Sequence, residues 1–225
     1  MEKPRLLVVE DHAETRRFLE AMLSKDYEVI SAENAVIGID LARNRSPQVI
    51  LMDVMLPILS GHDACSLLKK DERTKHIPVI FLSAKGTSSD VTQGLTQGAD
   101  DYISKPFDYH ELVARIQARL RQVPAGATQT LTIGELTVIP STREVKFAGK
   151  AAKLTLTEFD ILRLLAQKNG QVVSRDDIMN EIWPQGQKKS AHRTIDVHIR
   201  SLRKKIPAMT KHILSIYGAG YKYEI

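Results

Sequence analysis

The sequence contains a single cysteine, Cys65, a single tryptophan, Trp183, and few aromatic residues, 5% in all. One cysteine excludes an internal disulfide framework and any multi-cysteine zinc site. No apolar run approaches the roughly twenty residues a membrane-spanning helix needs. The apolar stretch near the N-terminus, Leu6 to Val9, is too short for a signal-peptide core. There is no internal repeat and no low-complexity tract. The expectation is a soluble cytoplasmic protein without a membrane partner. At 225 residues, 43% hydrophobic and 26% charged, the chain has globular composition and room for one or two domains.

Charge divides the chain. Residues 1–122 carry 16 basic and 18 acidic side chains, whereas residues 123–225 carry 16 and 9. The first half is therefore net −2 and the second net +7, summing to +5, and the second is the half expected to meet a polyanion. Residues 123–130 hold no charge, one Pro and one Gly, and read as a linker. The expected organisation is a first domain over 1–122, this linker, and a second domain over 131–225.

In the first half, short apolar runs alternate with segments of helical period. The strand candidates are Leu6–Val9, Tyr27–Ser31, Val49–Met52, Val79–Leu82 and Tyr102–Ser104. Nearly all-apolar strands interleaved with helices indicate an α/β domain, doubly wound around a parallel sheet buried on both faces. Such sheets bind ligands at the carboxyl ends of their strands. Glu10 and Asp11 follow the first strand, Asp53 the third, Ser83 the fourth and Lys105 the fifth. Taken singly, each is an ordinary cap, turn or loop residue. Taken together, they place three carboxylates, a hydroxyl and an ammonium along one edge. Neighbouring carboxylates stay ionised together only with positive charge among them. Lys105 supplies one charge, and a divalent ion with oxygen ligands, Mg²⁺, suits the rest. A carboxylate beside such an ion, facing Lys and a hydroxyl, is equipped to accept a phosphoryl group.

The second half opens with short alternating segments, Leu131–Ile133, Leu136–Ile139 and Glu144–Phe147, expected to pair antiparallel. Thr155 and Glu158 have capping-box spacing ahead of an apolar helix. Ser174 opens a second helix that stops at Pro184, and Ser190 is placed to cap a third. In that third helix Ile195, Ile199, Leu202 and Ile206 form a stripe to be buried. The opposite stripe is Arg193, Val197, Arg200 and Lys204, bordered by Ser201, with His198, Arg203 and Lys205 on the flanks. One apolar and one basic face suit a DNA major groove. Two runs, Ile213–Tyr217 and Tyr221–Tyr223, flank a Gly-rich turn and close the chain as a hairpin.

Both halves resemble one family, the OmpR/PhoB response regulators of two-component systems. Residues 5–122 are similar to the receiver domain through Val8-Val9-Glu10-Asp11, Asp53-Val-Met-Leu-Pro57 with Gly61, Leu82-Ser83-Ala84 and the stretch from Gly98 to Phe107. Residues 131–225 resemble the winged-helix effector domain through Leu156-Thr-Glu-Phe159, Val173-Ser-Arg175, Ile182-Trp183, Arg193 to Arg200, Leu202-Arg-Lys-Lys205 and Gly218-Ala-Gly-Tyr221. The resemblance implies a flavodoxin-like (βα)5 receiver followed by a winged helix-turn-helix domain. It implies a transcription regulator, not an enzyme, that takes phosphate on Asp53 from a histidine kinase. Mg²⁺ is then held by Asp11, Asp53 and the backbone carbonyl of Met55, with Glu10 acting through water. Ser83 and Tyr102 become a switch pair.

By the same likeness, Arg193, His198, Arg200 and Arg203 contact DNA, mostly at phosphates, and Trp183 is core with a phosphate contact at its rim. The expected partners are tandem half-sites on double-stranded DNA, a second copy of the chain after phosphorylation, and RNA polymerase. Three departures stand out. Val91, Gln93, Thr96 and Gln97 are uncharged where relatives carry dimer-pairing charges, leaving Glu111 without a basic partner. Asp100 and Asp101 can then pair with Arg115 and Arg119. Tyr217 stands where the wing of relatives often has Arg, with Lys222 able to substitute only at a phosphate. Ser201 replaces a base-reading Arg of some members. Two other readings stay open. One is a phosphatase forming an aspartyl-phosphate at Asp53, against which Met55 stands where such enzymes carry a second acid. The other is a DNA-binding protein with a vestigial receiver.

Overall fold

A computed structural model describes residues 2–83, 99–120, 129–183 and 191–225, with the side chains of 191–193 excepted. The chain divides into two compact units, residues 1–108 and 109–225.

The first unit is built on a five-stranded parallel sheet in the order β2-β1-β3-β4-β5. Its strands are β1 (Arg5–Val9), β2 (Glu28–Ala32), β3 (Val49–Asp53), β4 (Val79–Ser83) and β5 (Asp101–Ser104). Every residue of β3 and β4 is buried, which explains why these strands are continuous apolar runs rather than alternating ones. The expected strands agree with the observed ones to within a residue at each end. Three helices are described, α1 (Ala13–Leu23), α2 (Ala35–Arg45) and α3 (Gly61–Lys70). Asn34 caps α2 by accepting from Ile37 N at 3.0 Å, and Ser60 caps α3 by accepting from Asp63 N at 3.2 Å. The strand order reverses around β1, so β1 and β3 diverge into flanking crossovers and leave a crevice at their carboxyl ends.

The second unit begins with α4 (Tyr109–Leu120) and a four-stranded antiparallel sheet, β6 (Leu131–Ile133), β7 (Leu136–Ile139), β8 (Glu144–Phe147) and β9 (Lys150–Ala152). Helices α5 (Leu156–Gln167), α6 (Arg175–Ile182) and α7 (Ala191–Lys205) follow. A second sheet has the order β10-β12-β11, from β10 (Val173–Ser174), β11 (Ile213–Ile216) and β12 (Gly220–Tyr223). The predicted stripe Ile195, Ile199, Leu202 and Ile206 is buried in one core with Phe159, Leu162, Leu165, Ile178 and Trp183. Both predicted helix starts carry complete capping boxes, Thr155 with Glu158 and Ser174 with Asp177. Gly220 fits where a side chain cannot, because a Cβ there would lie 2.1 Å from Val173 O and break the β10–β12 pairing.

Helix α4 belongs by packing to this second unit. Arg119 Nη1 donates to Thr157 Oγ1 at 2.7 Å, and the guanidinium groups of Arg115 and Arg119 lie 5.3 and 5.9 Å from the Trp183 ring centroid. Contacts thus divide the chain at 108/109, while the domain boundary expected from the sequence stays at 122. The linker residues 123–128 and the charge-poor segment 90–97 lie outside the described residues. So do Pro184 and Ser190, the expected stop of α6 and cap of α7. Among the described residues no helix is long and apolar enough to cross a membrane.

Candidate phosphoacceptor site and DNA-binding face

The crevice at the carboxyl ends of β1 and β3 collects the acidic groups. Glu10 and Asp11 follow β1 directly and Asp53 is the last residue of β3, so the backbone alone brings them together. One carboxylate oxygen from each lies within 4.8 Å of the others. Glu10 and Asp53 are buried, while Asp11 is exposed. Lys105, just past β5, reaches across the sheet edge. Its Nζ donates to Glu10 Oε2 at 2.6 Å and also to Asp53 Oδ2. Met55 N donates to Asp53 Oδ1 at 2.7 Å, which fixes the rotation of the carboxylate.

Burial pushes the Glu10 carboxyl above its ordinary range, against the pull of Lys105, and the neighbouring Asp53 adds to the rise. For Lys105, burial acts downward, but the hydrogen bonds to Asp53 and Glu10 outweigh it and the ammonium ends higher than usual. Lys105 bonds the carboxylates themselves, while Arg16 Nη1 donates to the backbone carbonyls of Glu10 at 2.7 Å and Asp11 at 3.2 Å. Gly61 is what lets α3 start so close to the site, since a Cβ there would sit 2.1 Å from Asp53 O.

Ser83 ends β4 and is buried, and Lys105 N donates to its carbonyl at 2.6 Å. Tyr102 sits on β5 with its side chain buried. Its backbone N–H donates to Asp101 Oδ1 at 2.8 Å.

The residues assigned to a dimer surface need correction. Asp100 is buried, accepts from Lys69 Nζ at 2.7 Å and also from Val79 N at 2.9 Å. Asp101, Arg115 and Arg119 are buried as well. Glu111 does have a basic partner, Arg115 at 2.9 Å in the next turn of its own helix. Within the chain these side chains are buried or already paired. Spacing within one helix, and burial against residues far along the sequence, decide their partners.

On α7 the outward face carries Asp196, Arg200 and Lys204, with Val197 half-buried between them. His198 and Ser201 are corrected from DNA contacts to core residues. His198 is three residues after Ile195 and four before Leu202, which puts it on the buried stripe, and it is fully buried. Ser201 is buried and donates to Glu158 Oε1 at 2.6 Å. Lys205 Nζ donates to the other oxygen of Glu158 at 2.7 Å. Arg203 is also committed internally, through Nη2 to Ile213 O at 2.6 Å and Ser215 Oγ at 3.0 Å. Lys222 pairs with Glu224 at 2.7 Å. Arg193 lies within α7, but its side chain is outside the described residues. Trp183 is 1% exposed and so is core without a free rim.

A cluster that the sequence reading missed joins α6, α7 and the hairpin. Arg175 Nε donates to Asp196 Oδ1 at 2.8 Å, Tyr221 OH donates to the same oxygen at 2.6 Å, and the Arg175 guanidinium lies 4.9 Å over the Tyr221 ring. Burial, followed by the Asp196 carboxylate, pushes the Tyr221 hydroxyl up to about 12. No sequence spacing relates positions 175, 196 and 221, and Asp196 amid a basic helix is the only local hint.

A parallel α/β unit with an acid-and-lysine crevice, followed by a winged-helix unit, defines a two-component response regulator with a DNA-binding effector. Residues 6–117 match the family described as response regulator receiver domain, and residues 149–223 match the family described as transcriptional regulatory protein, C terminal. The chain is 39% identical to the DNA-binding dual master transcriptional regulator RpaA of Synechocystis, over 99% of this chain and 95% of that protein. Among solved structures it is similar to the response regulator DrrB of Thermotoga maritima, an OmpR/PhoB homologue (27% identity, TM-score 0.51, 99% of this chain and 100% of that one). It is also similar to a receiver domain of the sensor histidine kinase PA1611 of Pseudomonas aeruginosa, solved with a magnesium ion coordinated in its active site cleft (30% identity, TM-score 0.50, 52% of this chain and 98% of that one). The chain belongs to the OmpR/PhoB family of response regulators. Members of this family are DNA-binding transcriptional regulators controlled by phosphorylation and not enzymes, which sets aside the phosphatase reading.

Proposed function

We propose that Asp53 is the phosphoacceptor of this regulator and that α7 is its DNA-reading helix. The observation that carries the first half is the sharing of Lys105 Nζ between Glu10 and Asp53, in a crevice whose three carboxylates lie within 4.8 Å. Three acids with one ammonium leave uncompensated negative charge, and all-oxygen donors beside a phosphate site fit Mg²⁺. The ligands would be Asp11, Asp53 and the Met55 carbonyl, with Glu10 reaching the ion through water. Bound there, the ion neutralises charge on the transferring oxygens.

In the transfer, an Asp53 oxygen attacks the phosphorus of a kinase phosphohistidine in line. The new O–P bond forms as the N–P bond breaks, and the imidazole nitrogen keeps the electron pair. Lys105 exchanges part of its bonding from Asp53 to the phosphoryl oxygens. Ser83 donates its hydroxyl to the new phosphate, and Tyr102 follows the space that Ser83 vacates, biasing a two-state element.

On the effector side, Arg200, Lys204, Val197 and Arg193 face the groove. One helix in one major groove covers few base pairs, so two chains on tandem half-sites supply the specificity of a promoter. Phosphorylation promotes that pairing, RNA polymerase is engaged from the bound complex, and the protein acts in the cytoplasm where its DNA and kinase meet.

The test is phosphoryl uptake from acetyl phosphate with Mg²⁺, located by peptide mapping. Phosphate on Asp53, absent from Asp53→Asn and reduced by Mg²⁺ chelation, is the expected result. Uptake by Asp53→Asn at the unsubstituted level contradicts the assignment.

A further inference from the structure

Sulfur is unevenly exposed in this chain. Cys65 is buried. Among the described methionines, Met52, Met179 and Met209 are at most 1% exposed and Met22 is half-buried, whereas Met55 is 75% exposed. Thioethers ordinarily fill gaps in a core. Among the described residues, Met55 thus holds the sulfur that solvent reaches most freely.

Its place in the chain matters as much as its exposure. Met55 lies two residues past Asp53, and its backbone N–H donates to Asp53 Oδ1 at 2.7 Å. The backbone of this residue is therefore tied to the reacting carboxylate, while its side chain stands in water beside the crevice.

We propose that Met55 is an oxidation site through which peroxide lowers the phosphorylation of Asp53. This rests on the assignment of Asp53 as the phosphoacceptor. In the oxidation, the sulfur lone pair attacks one peroxide oxygen, and the S–O bond forms as the O–O bond breaks. The other oxygen leaves as hydroxide, takes the proton from the new S–OH group and departs as water. Sulfur loses two electrons and the peroxide gains them. A thioether is only a weak acceptor, whereas the sulfoxide is polar and its oxygen carries partial negative charge. The crevice already sets three carboxylate oxygens within 4.8 Å of one another, so a further negative dipole beside it repels an incoming phosphoryl group. The same oxygen draws water toward the acyl phosphate. Slower uptake and faster hydrolysis both lower the steady level of phosphate on Asp53. Methionine sulfoxide reductases reverse the change, which makes it a control point rather than damage.

The experiment uses the full chain and a Met55→Leu variant, each compared with itself before and after hydrogen peroxide, with the excess destroyed by catalase. Peptide mapping reads which methionine gains an oxygen atom. The phosphorylated fraction is then measured under acetyl phosphate and Mg²⁺. Met55 is expected to gain oxygen ahead of Met22, Met52, Met179 and Met209. The phosphorylated fraction of the parent chain should then fall about two- to fivefold, the scale of one polar interaction at an exposed site. Treatment with methionine sulfoxide reductases should restore it, and Met55→Leu should not respond to peroxide. Oxidation of the buried methionines ahead of Met55 overturns the proposal, and so does an equal fall in Met55→Leu. If the untreated parent chain takes up no phosphate on Asp53, the phosphoacceptor assignment fails and the proposal fails with it. If uptake is normal and indifferent to oxidation of Met55, the proposal alone fails.

Discussion

Glu158 Oε1 accepts a 2.6 Å hydrogen bond from Ser201, forty-three residues later in the chain, and this contact pins α7 to α5. The same carboxylate caps its own helix through Thr155 N at 2.7 Å and holds Lys205 at 2.7 Å. Glu158 is fully buried, so every one of these bonds replaces lost hydration.

Removing the acceptor leaves several groups without a partner. Glu158→Ala is expected to destabilise the second unit by about 3 kcal/mol, the cost of breaking a buried pair. Glu158→Gln should cost less. Urea unfolding of both variants checks this, and equal stability of Glu158→Ala and the parent would contradict it.

The outward and inward residues of α7 should separate in their phenotypes. Arg200→Ala or Lys204→Ala should weaken DNA binding and each reduce the salt slope by about one, with stability unchanged. Ser201→Ala and His198→Ala should lower thermal stability instead. Parallel melting curves and salt titrations distinguish the two classes.

That division shows what the sequence could and could not tell. The strands of the first unit were legible because a sheet buried on both faces needs unbroken apolar runs, and β3 and β4 supply them. The acid crevice followed, since topology puts strand ends together whatever the side chains do. The stripe of α7 was legible as far as Ile195, Ile199 and Leu202. A period of 3.6 marks the centre of a buried face but not its width, so polar His198 and Ser201 were placed outside it. Partners decided by tertiary contact, such as Asp196 with Tyr221 or Asp100 with Lys69, leave no trace in spacing.

Cys65 is buried on α3, and burial pushes its thiol up to about 12. It should resist thiol reagents at pH 8 in the folded protein and react at once in denaturant. Its folded pKa lies above the unfolded value of about 8.5. The associated stability is therefore complete at neutral pH and fades as the pH climbs through 12. Rapid modification of the native protein at pH 8 would contradict this.

Ile58 has φ of 69° and is 94% exposed, a left-handed conformation that a β-branched residue seldom adopts. Ile58→Asn or Ile58→Gly should leave stability unchanged or raise it by up to about 1 kcal/mol. Denaturant midpoints test this, and a loss above 1 kcal/mol would show a packing role that its exposure denies.

The central claim is that phosphate at Asp53 controls the α7 face. DNA affinity, measured on one selected duplex before and after treatment with acetyl phosphate and Mg²⁺, tests it most directly. The account predicts tighter binding after treatment for the parent chain and no change for Asp53→Asn. Equal affinity of the treated and untreated parent chain, with Asp53 shown to be phosphorylated, would mean that the receiver is vestigial and contradict the account.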